Sequence, residues 1–142
     1  MPAPADPGRA AAYRGRVQLA YSPHADGHAD PGEVVWTWVP YEEDPRTGKD
    51  RPVLVVGTAT DAPTGTLAVL PLTSRDRSGQ PGWVALGPGR WDAQGRASSV
   101  RVDRVLAVAP GSVRREGAAV DRARFEQVVQ ALQAAPGSPR RS

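Results

Sequence analysis

The 142-residue chain contains no cysteine. That excludes disulfides, a thiolate metal site and a thiol nucleophile. Long apolar runs are missing too: nothing approaches the roughly 18 consecutive apolar residues that a membrane-spanning helix needs. The Pro/Ala-rich stretch from Met1 to Ala12 has no apolar segment of the kind a secretory signal carries. These absences fit a cytoplasmic protein with no membrane contact. The hydrophobic fraction is low at 39%, and many of the 15 glycines and 15 prolines fall near the ends. One domain with one core is therefore expected over residues 32–135. A disordered or extended tail is expected before it over 1–31, and a flexible tail after it over 136–142.

An excess of positive charge is scarce where folding is expected. The net charge is +3 and the isoelectric point about 9.9. Of the 18 basic and 15 acidic residues, three of each lie in the first 32 positions, and Arg140 and Arg141 lie in the final tail. That leaves 13 basic against 12 acidic side chains between them. Bulk charge does not argue for nucleic acid, so any such site must be a local cluster of arginines. Lys49 is the sole lysine, and arginine suits forked contacts to phosphate; a GC-rich genome gives the same bias. The run from His24 through Asp26 and His28 to Asp30 has metal-ligand chemistry. It also has the composition of a solvated linker, which lacks the fixed geometry a metal needs. No residue cluster suggests a cofactor.

What is present reads mostly as strands. Glu33–Val39 is β-branched and aromatic, bounded by Gly32 and Pro40. Tyr41 to Asp50 reads as a polar loop. Pro52–Gly57 is a short continuous apolar run, the pattern of a strand buried on both faces. Thr66–Leu72, Trp83–Leu86, Ser98–Val102 and Val105–Ala109 follow, separated by Gly- and Pro-containing turns. The one helix is terminal: Phe125, Val128, Val129 and Leu132 repeat at helical spacing, Asp121 is positioned as N-cap, and Pro136-Gly137 ends it. Many short strands closed by one helix predict a mainly β fold with a C-terminal helix, a small and strongly bent barrel.

Four stretches, in order, resemble the MazF/PemK toxin family. They are Gly32-Glu33-Val34-Val35-Trp36, then Gly48 to Val56 with its Arg51-Pro52 step, then Leu70-Pro71-Leu72-Thr73-Ser74, and Ser99-Val100-Arg101-Val102-Asp103. The resemblance implies an SH3-like barrel of the MazF/PemK/CcdB type, a homodimer, metal-independent cleavage of single-stranded RNA, and a cognate antitoxin that occupies the RNA groove. It also implies site residues. Arg51 would contact the scissile phosphate with Thr73 beside it. Arg101 and Asp103 would be the acid and base used in part of that family. Lys49, Ser74, Arg75, Arg77 and Trp91 are the expected RNA-binding residues around them. One departure is Glu42-Glu43-Asp44 in the first loop, where clustered carboxylates would repel phosphate.

The chemistry is coherent with these residue types. RNA is cut without metal when its 2′-hydroxyl attacks the adjacent phosphorus, and a positioned base or acid contributes roughly 10²–10⁴-fold. Arginine offers a planar, permanently charged fork for the phosphoryl oxygens. In a regular strand, residues 101 and 103 share a face, which would set Arg101 beside Asp103. The same residues admit plainer roles: an Arg101–Asp103 structural ion pair, a backbone cap at Thr73, core or dimer packing for Trp36 and Trp38. Trp36, Trp38, Trp83 and Trp91 are all candidates to stack a base, and Trp91, set among glycines, is the expected exposed platform. The rival readings are a non-catalytic barrel that binds nucleic acid or a protein, and a structural dimer whose groove takes a peptide.

Overall fold

The computed structural model describes residues 8–22, 29–75, 77, 79–114 and 118–135. Most of the His24–Asp30 run, the Pro136-Gly137 stop and the final tail lie outside the described residues. The strands are β1 (Ala11–Ala12), β2 (Val17–Leu19), β3 (Val34–Pro40), β4 (Gly48–Ala59), β5 (Leu67–Thr73), β6 (Trp83–Gly87), β7 (Ser98–Arg101) and β8 (Leu106–Val108). A 3-10 turn at Pro110–Ser112 and the helix α1 (Arg122–Ala134) complete the set. No helix among the described residues is long and apolar enough to cross a membrane.

β4 organises the sheet. On one edge it changes partner along its length. β3 pairs antiparallel with its first half, from Pro40 opposite Gly48 to Val34 opposite Leu54. β2 takes its end, from Leu19 opposite Gly57 to Val17 opposite Ala59. β5 lies along the other edge and divides in the same way, meeting β8 through Leu67–Val69 and β7 through Leu72 and Thr73. Strands that exchange partners must bend, and the register shift between Val55 and Gly57 supplies the local kink. The result is the mainly β fold with a C-terminal helix that the alternation of short strands and turns predicts.

Both faces of this sheet are covered. Period-two alternation sends Leu54 and Val56 into a core with Leu70, Val100, Phe125, Val128 and Leu132 under α1. Val53 and Val55 point the other way, into a second core with Val35, Val69 and Leu106. α1 starts where expected: the Asp121 side chain accepts from the Arg124 backbone N–H at 2.8 Å. Val120 and Phe125, flanking that cap, are both buried and staple the first turn to the core.

One segment differs from the sequence reading. β4 begins at Gly48, so the expected loop shrinks to Tyr41–Thr47 and Arg51 sits within a strand, opposite Thr37. Charged residues hid this extension. Pro52 is tolerated inside the strand because its partner Trp36 exchanges both backbone hydrogen bonds with Arg114 instead, at 2.9 and 2.7 Å. The N-terminal arm takes the extended form: residues 8–22 carry β1 and β2, with Ala10 and Val17 buried.

The arm docks closely at Gly57, where a Cβ would lie 1.9 Å from the Gln18 carbonyl oxygen. Gly57→Ala is therefore expected to push β2 off β4. It should cost about 1–3 kcal/mol of stability, as overpacking typically does, and speed hydrogen exchange of the Val17–Leu19 amides first. A melting curve with residue-level exchange checks this; unchanged exchange in β2 would contradict the close docking.

Candidate active site

An open groove of about 860 Å³ runs along the face where β3, β4, β5 and β7 meet the loops after β3, β5 and β6. Eight cationic and four acidic side chains line it. The positive charge that is nearly balanced over the whole domain is thus concentrated here, as a cluster of arginines.

Arg51 is half-buried in mid-β4, held by strand pairing on its β3 side. Burial pushes its guanidinium below the usual arginine value; Tyr41 opposes this shift and Arg75 reinforces it. No carboxylate bonds to it among the described residues, so a desolvated cation faces an open groove. Thr73 ends β5 beside it in the same groove, and its hydroxyl accepts from the Arg75 backbone N–H at 3.2 Å. It acts as a turn cap and still lines the groove. Lys49, Ser74, Arg75 and Arg77 line the same space.

Arg101 comes from the end of β7. Its Nε donates to Asp103 Oδ1 at 2.6 Å, and its Nη1 bonds Glu42 Oε1 from the first loop. Burial disfavours its charge, but the hydrogen bonds to Glu42 and Asp103 more than offset that and raise it above the ordinary arginine value. The expected Arg101–Asp103 pair therefore exists, though not through strand periodicity. β7 stops at Arg101, and residues 102–103 turn, with the Val102 N–H donating to the Gly82 carbonyl at 2.8 Å. Asp103 folds over Gly82, which has φ of +84° and where a Cβ would meet Asp103 Oδ2 at 2.6 Å. Asp103 thus bonds Arg101 without itself lining the groove. The carboxylate beside Arg101 that does line it is Glu42.

Trp91 lines the groove but is not the exposed platform expected. It is 5% exposed and belongs to the core under α1, its Nε1 donating to Ser98 Oγ at 2.9 Å and its carbonyl accepting from Trp36 Nε1 at 3.2 Å. Glycines around it do not mark an exposed loop tip; one of them, Gly89, passes against the indole, where no Cβ fits. Three more residues line the groove, and of these only Arg104 carries no signal in the sequence. Glu42, a repulsive charge in the sequence, is bonded to Arg101 here. Arg104, lowered chiefly by burial, donates to the Pro40 carbonyl at 2.5 Å and lines the groove floor. Trp83 stands opposite Arg101 in the β6–β7 ladder and lines the groove. The register of β6 against β7 gives this candidate stacking residue its place beside Arg101.

A family profile of PemK-like, MazF-like toxins of type II toxin-antitoxin systems matches residues 30–135. The chain belongs to that family. Among solved structures, it resembles MazF from Deinococcus radiodurans at 25% identity and a TM-score of 0.58, covering 77% of this chain and 96% of that one. The MazE–MazF complex from the same organism matches at 25% identity and 0.52, over 77% and 95%. An endoribonuclease in complex with its cognate antitoxin, from a mycobacterial species, shares the fold at 22% identity and 0.55, over 74% and 91%. No curated protein sequence matches the chain significantly.

Proposed function

We propose that this protein is a toxin endoribonuclease that cuts single-stranded RNA in the groove around Arg51, without a metal ion, leaving a 2′,3′-cyclic phosphate and a 5′-hydroxyl. The observation that carries the reading is Arg51 itself, a half-buried guanidinium with no carboxylate partner among the described residues, fixed in a strand and open to a cationic groove. Such a cation lacks an anion, and a phosphodiester supplies one with the forked geometry arginine favours.

In the proposed reaction the 2′-oxygen attacks the adjacent phosphorus while the bond from phosphorus to the 5′-oxygen breaks. Arg51 and Arg101 donate to the phosphoryl oxygens as charge develops there, and Thr73 adds a neutral hydroxyl. Arg101, held firmly protonated by its two carboxylates, serves as a fixed charge. Arg51 is the second fixed charge, its fork directed to the phosphoryl oxygens, and the leaving 5′-oxygen takes its proton from solvent. The resemblance pairs Arg101 and Asp103 as acid and base. The geometry supports a different division, in which Asp103 positions Arg101 and Glu42 receives the 2′-hydroxyl proton.

That division makes Glu42 separable into two effects. Glu42→Gln removes a negative charge from the groove and is expected to tighten oligonucleotide binding a few-fold. It should also slow cleavage by about 10²–10⁴, the usual contribution of a positioned base. Faster cleavage with tighter binding would mean that Glu42 only screens Arg101.

Two partners follow. A cognate antitoxin covering the groove is supported by the family and by the MazE-bound relative. A homodimer is the proposed assembly. The direct test of the reaction compares one oligoribonucleotide containing a cleaved site with its copy bearing a single 2′-deoxy sugar there. Cleavage should vanish in the copy, which cannot supply the nucleophile. Binding of both without cleavage of either would favour a non-catalytic nucleic-acid module.

A further inference from the structure

Trp36, Tyr41, Trp83 and Trp91 line the groove, and among them Trp83 is the ring that guanidiniums approach. Trp83 begins β6 and is half-buried on the groove wall. Its place is set by the antiparallel ladder, which puts it directly across from Arg101 and so on the same sheet face. Two guanidiniums approach its ring: Arg77 Cζ at 5.3 Å from the centroid and Arg101 Cζ at 5.9 Å. The two are not alike. Arg101 is tied on both sides, by Glu42 and by Asp103. Among the described residues Arg77 has no such ties, and its buried Nε has no hydrogen-bond partner.

We propose that Trp83 is a base-stacking platform for the nucleotide next to the scissile phosphate, and that Arg77 is displaced from the indole to bond that base's edge or its phosphate. The inference rests on the ribonuclease reading above. A planar guanidinium near an indole occupies the space that a planar base takes on stacking, and both are attracted to the same ring face. The unpartnered Arg77 Nε is the group that gains from the exchange, because a bound nucleotide brings acceptor oxygens. Arg101, shared between the phosphate site and the Trp83 ring, sets the spacing from base to phosphate. The ligand class is thus a nucleobase within a strand, attached to the phosphate at Arg51 and Arg101.

The test uses a mixed-sequence oligonucleotide of 2′-deoxy residues, which the enzyme cannot cut, with fluorescence anisotropy as the readout. It is run on the wild-type protein, Trp83→Phe and Trp83→Leu, each with a series of oligonucleotides carrying one abasic position. Trp83→Leu is expected to weaken binding by about 5–100-fold, the range for one lost base–aromatic stack. Trp83→Phe keeps a ring and should stay within a few-fold of wild type. One abasic position should cost the wild type a similar factor and cost Trp83→Leu nothing more. Wild-type binding with an abasic penalty that persists undiminished in Trp83→Leu would overturn the platform while leaving the nuclease reading intact. If the wild type neither bound the oligonucleotide nor cut RNA, the nuclease reading would fall and the platform with it.

Discussion

Arg51→Ala is expected to lower the rate of RNA cleavage by about 10²–10³-fold, the cost of removing one preorganised donor to a developing charge. The loss should appear in kcat more than in KM, because the groove keeps seven other cationic side chains to hold the strand. It should come without a comparable loss of stability. Arg51 is half-buried but forms no ion pair among the described residues, and burial already works against its charge. Replacing it with alanine removes a desolvated cation, so the variant should melt close to the wild-type temperature. Arg51→Lys is expected to recover only part of the activity. Lysine restores the charge but not the fork that reaches two oxygens. A variant that cut RNA at the wild-type rate would remove Arg51 from the reaction and leave it a strand residue.

The second large effect is at Arg101. Arg101→Ala should cost a similar factor, about 10²-fold or more, since it removes another charged donor. Here the comparison with its neighbour carries the information. Asp103 touches Arg101 Nε at 2.6 Å but does not line the groove. Asp103→Asn keeps the shape and one acceptor, so it is expected to cost less than tenfold and to add almost nothing to Arg101→Ala in a double variant. A general base would behave differently. Its loss would cost about 10²–10⁴-fold alone and would flatten the acid limb of the pH–rate profile. Steady-state rates for the two single variants and the double variant across pH separate a positioning residue from a base.

Much of the architecture was legible because burial imposes period. Val53–Val56 is apolar at every position, and the strand it forms is covered on both faces. The Asp121 cap and the Phe125, Val128, Leu132 stripe mark α1 by local rules alone. Where side chains are charged, period carries less information. Gly48–Asp50 looked like a loop and is strand, because pairing with β3 rather than burial holds it. The N-terminal arm stayed open between disorder and extension for the same reason: Ala11, Ala12 and Gln18 have weak strand chemistry, and it is partner strands that order them.

The site divides along the same line. Arg51, Thr73, Arg101, Lys49, Ser74, Arg75 and Arg77 all line one groove. What no local pattern signals is long-range placement. Glu42 reaches Arg101 across 59 positions of sequence. Trp83 lies opposite Arg101 only through strand register, while the more conspicuous Trp91 turned inward to satisfy Ser98 and fill the core. Asp103 left the groove because β7 ends two residues before it and the chain turns over Gly82.

The central claim is that this groove cuts RNA by internal attack of the 2′-hydroxyl. The most direct measurement incubates purified protein with a long single-stranded RNA in EDTA and analyses the ends of the products. The account predicts discrete fragments bearing 2′,3′-cyclic phosphate and 5′-hydroxyl termini. Fragments with 5′-phosphate ends, cleavage that appears only when a divalent ion is restored, or RNA that binds the groove and stays intact would each contradict it.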